Sequence, residues 1–346
     1  MTMHNGIVAQ SERFKKAIAS KDVSSYKVVY PGQLVVGFPI DEGVIYVQGL
    51  DEPGIMSPAY NVWDIDTSVV APGYLELALH GPGCMAYYAD KMRGTTARRR
   101  TLTAESLTAM SVPLPCMEQQ ERIVGILSAA RSQIGICDRQ LSLLDDLVKS
   151  RFVEMFGDPE NPVGKWEERR LDGFCVVATG NTPSRRNPAY YGSSLEWVKT
   201  DNIVDGTVTR AGEWLSEEGA TKARVAPKGS ILMACIAGSV KSIGKVGLLD
   251  RSVAFNQQIN AIIPSDDVDP RFLLTMLSLS KDYLCGDVNI QLKGILNKSS
   301  LSAKTFPLPP LALQREFAAF AGCVAKSQVA AQRFLRMSLM VCEPLS

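Results

Sequence analysis

An apolar-Pro-Leu-Pro run with a glutamine five residues beyond it occurs twice in this chain, and a chain that repeats itself folds as copies of one unit. Val112-Pro113-Leu114-Pro115 leads into Gln119-Gln120-Glu121-Arg122-Ile123, and Phe306-Pro307-Leu308-Pro309 leads into Leu313-Gln314-Arg315-Glu316-Phe317. Pro113 against Pro307 and Gln120 against Gln314 are both 194 residues apart. The echo continues upstream. Val29-Tyr30-Pro31-Gly32-Gln33-Leu34-Val35-Val36 resembles Val225-Ala226-Pro227-Lys228-Gly229-Ser230-Ile231-Leu232, each a Pro/Gly turn feeding a buried strand. Ile55 to Val62 likewise echoes Ala254 to Ala261.

Each Pro-Leu-Pro run opens into a helical pattern. After Pro115, apolar residues fall at Ile123, Leu127, Ala130, Ile134, Cys137, Leu141, Leu144, Val148 and Met155, with Arg151 interrupting the series. Alternating steps of four and three make a heptad seam. Gly157-Asp158-Pro159 ends it. The second helix carries Phe317, Phe320, Val324, Ala331 and Phe334 at similar spacing. Two seams in one chain are expected to pack on each other, because an exposed seam is a long apolar stripe. The expected fold is therefore α+β: two units in pseudo-two-fold repeat, separated by long helices packed as an antiparallel coiled coil. The expected boundaries are a first domain at 1–112, a central helical segment at 113–157, a second domain at 158–306 and a C-terminal helical segment at 307–346. The second unit has about sixty residues ahead of its Pro227 turn and the first only thirty ahead of Pro31, so the first is expected to be short at its N-terminus.

Composition narrows the function. A hydrophobic share of 46% allows an ordinary core. No apolar run reaches the roughly 18 residues of a membrane span, and Met1 to Lys16 lacks the apolar stretch of a signal peptide, so a cytoplasmic protein is expected. The eight cysteines include no C-x-x-C pair and there are two histidines, so no metal site is expected. P-loop, G-x-G-x-x-G, H-E-x-x-H and G-x-S-x-G motifs are absent, and with them any expected cofactor or catalytic residue. Asn187-Pro188-Ala189-Tyr190 approaches the Asn-Pro-Pro-Tyr signature of amino-methyltransferases but lacks its second proline, as does Ser57-Pro58-Ala59-Tyr60.

A net charge of +1 does not by itself announce a nucleic-acid binder, but local basic faces matter more than the sum. The densest basic run holds Arg93, Arg98, Arg99 and Arg100. Arg185 and Arg186 follow Asn181 in a small-polar loop, and Lys199 and Asn202 follow a strand. Lys241 and Lys245 flank a hairpin tip, and Lys15 and Lys16 supply charge to the first unit. Gln257 and Gln258, beside Asn256, have the donor–acceptor pairs that read adenine edges. Each of these groups can equally be a solvated face or a satisfied backbone cap.

Taken in order, the two Pro-Leu-Pro…Gln motifs, Met155-Phe156-Gly157-Asp158-Pro159, the run Thr182 to Tyr191, Trp197-Val198-Lys199-Thr200-Asp201-Asn202-Ile203, Ser57-Pro58-Ala59-Tyr60 and Asn5 to Ser11 resemble the specificity subunit of type I restriction–modification systems. The resemblance implies two target recognition domains, each reading half of a split site in double-stranded DNA. It implies helices that bind two modification (methyltransferase) subunits, and a restriction subunit with ATP-driven translocation joining the complex. Methylation and cleavage would reside in those partners, with no catalysis here and no membrane partner. The departure is in the first unit, which has no counterpart of Trp166 to Thr182. A stand-alone adenine methyltransferase, a related specificity domain of another modification system and a purely structural coiled-coil adaptor remain the alternatives.

Overall fold

The computed structural model describes residues 1–2, 6–9, 23–94, 96, 100–160, 164–204, 206–236, 242–286 and 296–342, with side chains described as far as residue 339. The chain divides into two compact units, Met1–Arg139 with Gln332–Ser346, and Gln140–Ala331.

The first unit begins with β1 (Lys27–Val29), β2 (Leu34–Val36), β3 (Ile45–Val47), β4 (Gly54–Met56) and β5 (Asn61–Trp63). Three short helices come next, α1 (Pro72–Leu79), α2 (Pro82–Lys91) and α3 (Ala104–Thr108), and then the long α4 (Met117–Phe156), which belongs to the second unit from Gln140 on. The strands form a sheet in the order β3-β2-β5 and a separate β1-β4 ribbon, all antiparallel. Every residue of β2 is buried, which period-two alternation explains: Leu34 and Val36 face a core with Ile40, Leu79 and Tyr88, while Val35 faces Val29 and Met56.

The second unit opens with β6 (Glu168–Arg170), β7 (Cys175–Thr179), β8 (Tyr191–Val198), β9 (Ile203–Val204), β10 (Gly206–Val208) and β11 (Trp214–Leu215). It continues through α5 (Glu217–Lys222), β12 (Val225–Ala226), β13 (Ile231–Ala234), β14 (Val246–Leu248), β15 (Val253–Phe255) and β16 (Ile259–Pro264). It closes with α6 (Pro270–Leu279), α7 (Lys281–Cys285), α8 (Lys298–Ala303), β17 (Thr305–Pro307) and the long α9 (Leu311–Cys342). One sheet runs β7-β16-β13-β14-β10-β9 and another β11-β8-β15-β12.

The repeat is visible bond by bond. Gly32 N donates to Gln48 O at 2.7 Å and Gln48 N to Gln33 O at 2.8 Å; Gly229 N donates to Leu249 O and Leu249 N to Ser230 O, both at 2.9 Å. β2 lies between β3 and β5 as β13 lies between β14 and β16, and β1-β4 corresponds to β12-β15. The matching residues at the turn are the glycines, not Pro31 and Pro227 as the sequence suggests. Both glycines take positive φ, 85° and 89°, which a side chain resists. Each is the third residue of a turn closed at 3.2 Å, by Gln33 N to Tyr30 O and Ser230 N to Pro227 O.

The two glutamines of the repeated motif are fully buried, at 0% exposure. Gln120 Oε1 accepts from Ala71 N at 2.8 Å, and its Nε2 donates to Val69 O at 3.2 Å and Pro115 O at 2.8 Å. Gln314 repeats the set: Oε1 accepts from Asp269 N at 2.8 Å, and Nε2 donates to Asp267 O at 3.2 Å and Pro309 O at 2.8 Å.

Within the second unit the long helices pair antiparallel. Phe152 meets Phe317 with ring centroids 5.3 Å apart, and Gln328 Nε2 reaches back to Asp145 Oδ1 at 2.7 Å. The expected seam of α4 is the less exposed stripe throughout: Leu127 and Cys137 are buried, and Ile123, Ala130, Ile134, Leu141, Leu144, Val148 and Met155 are half-buried. Two details differ from the sequence reading. Arg151 does not interrupt the seam but occupies it, its guanidinium paired with Glu316 at 3.4 Å and Glu154 at 2.9 Å. On α9 the buried and half-buried line is Phe317, Ala321, Val324, Gln328 and Ala331, while Phe334 is 48% exposed. Large phenylalanines stand out in sequence, but position on the 3.5-residue period decides burial.

Candidate nucleic-acid interface

The second unit gathers its polar loops around one aromatic floor. Gly180 brings the loop after β7 against the turn between β15 and β16 so closely that a Cβ there would sit 2.2 Å from Asn256 O. The loop is then pinned from several sides. Gly180 N donates to Ile259 O at 3.0 Å and Asn181 N to Phe255 O at 3.1 Å. Thr182 Oγ1 donates to Gln257 Oε1, and Tyr191 OH to Pro183 O at 2.8 Å. Asn181 accepts from Arg224 N and donates to Lys222 O, both at 2.7 Å, which fastens the segment after α5.

On this scaffold Arg185 and Lys199 converge. The Arg185 guanidinium lies 5.1 Å from the Tyr191 ring centre and 5.3 Å from that of Trp197. Lys199 Nζ lies 5.3 Å from the same indole, which is itself buried. Cations over aromatic faces gain about 0.5–1 kcal/mol at exposed sites, enough to bias two long side chains toward one place. Glu213 joins them, accepting from Arg185 at 2.6 Å and from Lys199. Two cations share one carboxylate, so the patch keeps a net positive charge. Arg186 and Gln257 are exposed beside it.

Hydrogen bonds from Lys199 and then Arg185 hold the Glu213 carboxyl below its usual 4.5. A depressed carboxylate adds stability that is complete above 4.5, its unfolded value, and is lost as pH falls through the lower folded value. Wild type is therefore expected to exceed Glu213→Gln in stability at neutral pH, with the gap closing as pH drops below 4.5. Denaturant midpoints across that range check this; a gap that survives in acid contradicts it.

Several other expected contact residues, Asn202, Gln258 and Arg100, serve the fold. Asn202 accepts from Lys199 N at 3.0 Å and donates to Arg210 O at 3.1 Å, closing a 3-10 turn. Gln258 Oε1 accepts from Asn256 Nδ2 at 3.0 Å, and both residues lie in a turn rather than inside a strand. Lys245 is exposed just before β14. In the first unit Arg93 is exposed and bridges Thr101 through its backbone, while Arg100 is a staple, its guanidinium paired with Asp41 and with Glu42 at 2.8 Å. Arg100 is therefore not one of a row of free arginines. Lys15, Lys16, Arg98, Arg99 and Lys241 lie outside the described residues. Sequence reasoning missed Glu213 and the role of Trp197. An acid 14 residues from one partner and 28 from the other carries no local signal.

Among the described residues no group of histidine, cysteine and acidic side chains is placed to hold a metal ion, and no helix is long and apolar enough to cross a membrane.

Comparison with known proteins converges on one family. The family model described as "Type I restriction modification DNA specificity domain" matches residues 164–321. The type I restriction enzyme HindI specificity subunit of Haemophilus influenzae is 32% identical over 115 residues, covering 32% of this chain and 24% of that protein. The type I restriction enzyme MjaIX specificity subunit of Methanocaldococcus jannaschii is 27% identical over 187 residues, covering 50% of this chain and 41% of that one. The chain thus matches less than half the length of either relative. The solved S subunit of a type I restriction–modification system from M. genitalium aligns with a TM-score of 0.63 at 12% identity, over 92% of this chain and 82% of that one. At that identity the likeness speaks to the fold alone.

Proposed function

We propose that this chain, whose residues 164–321 match the type I restriction–modification DNA specificity domain, is the subunit that reads DNA sequence for such a system. The observation that carries the proposal is the pair posed over Trp197, Arg185 on the loop pinned by Gly180 and Asn181 and Lys199 just after β8. Arginine forks suit guanine edges and phosphate oxygens, and a lysine ammonium suits phosphate. Arg186 and Gln257 extend the same face. The first unit, through Arg93 and the basic residues around it, reads the other half of a split site in double-stranded DNA.

The helices are the attachment for two modification subunits. The positions one residue ahead of the seam support this: Ile126, Ile136, Leu143 and Leu147 on α4, and Phe334 and Met337 on α9, are exposed apolar side chains. Such a second stripe beside a seam suits docking by further helices. Methylation belongs to those partners, and ATP-dependent cleavage to a restriction subunit that joins them. The protein works in the cytoplasm, where the DNA is.

In the complex assembled with its modification subunits, replacing Arg185 and Lys199 together by alanine is expected to weaken DNA binding and flatten its salt dependence. Each phosphate contact removed lowers the slope of log affinity against log salt by roughly 0.9. An unchanged slope with unchanged target preference would show the pair to be a solvated face. Binding of adenosylmethionine by the purified chain alone would instead favour a methyltransferase.

A further inference from the structure

The second unit joins its domain to its helix through two kinds of contact, one of which recurs in the first unit. In the second unit the first kind is an aromatic cluster: Phe152 and Phe156 of α4 each meet both Phe317 of α9 and Phe272 of α6, with centroid distances of 5.1–5.8 Å. The burial share of this contact is non-directional and resists separation more than rotation, with the ring geometry adding a smaller directional share. The second kind is Gln314. One amide holds three backbone groups: the carbonyl of Pro309 just ahead of its own helix, and both ends of the Asp267–Asp269 step that launches α6. Hydrogen bonds are directional, so three on one rigid amide fix an angle as well as a distance.

The first unit repeats this clamp with the same three distances on Ala71, Val69 and Pro115. The segments it holds differ in sequence, Val69-Val70-Ala71-Pro72 against Asp267-Val268-Asp269-Pro270. Because all three partners are main-chain atoms, the geometry persists while the side chains around it change. What the two units share at this junction is therefore an orientation.

We infer that Gln314 and Gln120 are positioning residues that fix the angle at which each recognition domain sits on its helix, and that this angle sets which spacing between DNA half-sites is accepted. The inference rests on the reading of the chain as a two-domain DNA specificity subunit. One base pair of spacer moves a half-site by about 3.4 Å and roughly a tenth of a helical turn. A domain held at one angle tolerates one spacer; a domain that swivels on its aromatic cluster tolerates several.

The test uses the complex assembled with its modification subunits and a set of duplexes that carry both half-sites at stepped spacers. Wild type is expected to prefer one spacer by at least about tenfold, and Gln314→Leu to reduce that preference below about threefold with base preference inside each half-site retained. Gln314→Glu keeps an acceptor oxygen and the volume but can no longer donate to both carbonyls, and it is read in the same way if the leucine variant fails to assemble. Gln120→Glu is expected to relax spacing equally. A loss of binding that is uniform across spacers, or an unaltered spacer preference, would overturn the inference, since a merely stabilising residue lowers the amount of competent complex without changing what it selects. If wild type selects no bipartite target, the specificity reading fails as well, and the two failures are told apart by the wild-type measurement.

Discussion

Replacing Phe152 with alanine is expected to lower the stability of the second unit by about 3–5 kcal/mol, at the upper end of large-to-small core changes. The ring is 1% exposed and meets three others: Phe156 at 5.1 Å, Phe317 at 5.3 Å and Phe272 at 5.4 Å. Those partners come from its own helix, from α9 and from α6, so no single element can relax into the space left behind. Ring pairs, here two edge-on and one stacked, add about 0.5–1.5 kcal/mol each beyond area burial, and alanine removes them together. Leu143 on the same helix is 59% exposed, and its replacement by alanine is expected to change stability by no more than about 0.5 kcal/mol. Chemical denaturation of the two variants side by side measures the contrast. A loss below about 1 kcal/mol at Phe152 would mean that the ring cluster does not hold helix to domain.

Phe152 also shows where sequence reading stops. The seam of α4 was legible because one helix packed on one partner leaves a simple period. At residue 151 the period demands an apolar side chain and finds arginine, which pairs with Glu316 across the seam. Phe152, one position round, is buried because α6 approaches from a second direction, and nothing within the helix's own sequence reports that. The same holds at the candidate interface. Turns and basic loops can be picked out from residue type, but whether a side chain is free depends on distant partners. Arg100 is tied to a turn some sixty residues upstream, Asn202 closes its own turn, and Arg185 and Lys199 meet only because β8 and β11 bring Trp197 and Glu213 between them. The repeated glutamines are visible as a motif in the sequence itself. Their three backbone partners, brought together by the strand and helix order of each unit, are not.

Exchange of the proposed second recognition domain is expected to produce the largest functional change. Residues 158–306 carry Arg185, Lys199 and Gln257, whereas the helical segments 113–157 and 307–346 carry the seam and the exposed apolar stripe. If reading and assembly are divided in this way, a chain whose residues 158–306 come from a different specificity subunit keeps its partners and its first half-site. Each base pair altered in a recognised site costs about 1–3 kcal/mol, so a foreign domain that reads several different bases abolishes use of the old half-site. The direct measurement is sequencing of methylated DNA from cells expressing the modification subunits with either the original or the exchanged chain. The account predicts two bipartite motifs that share one half and the spacer between the halves, and differ in the other half. An unchanged motif, or one altered in both halves, would contradict it.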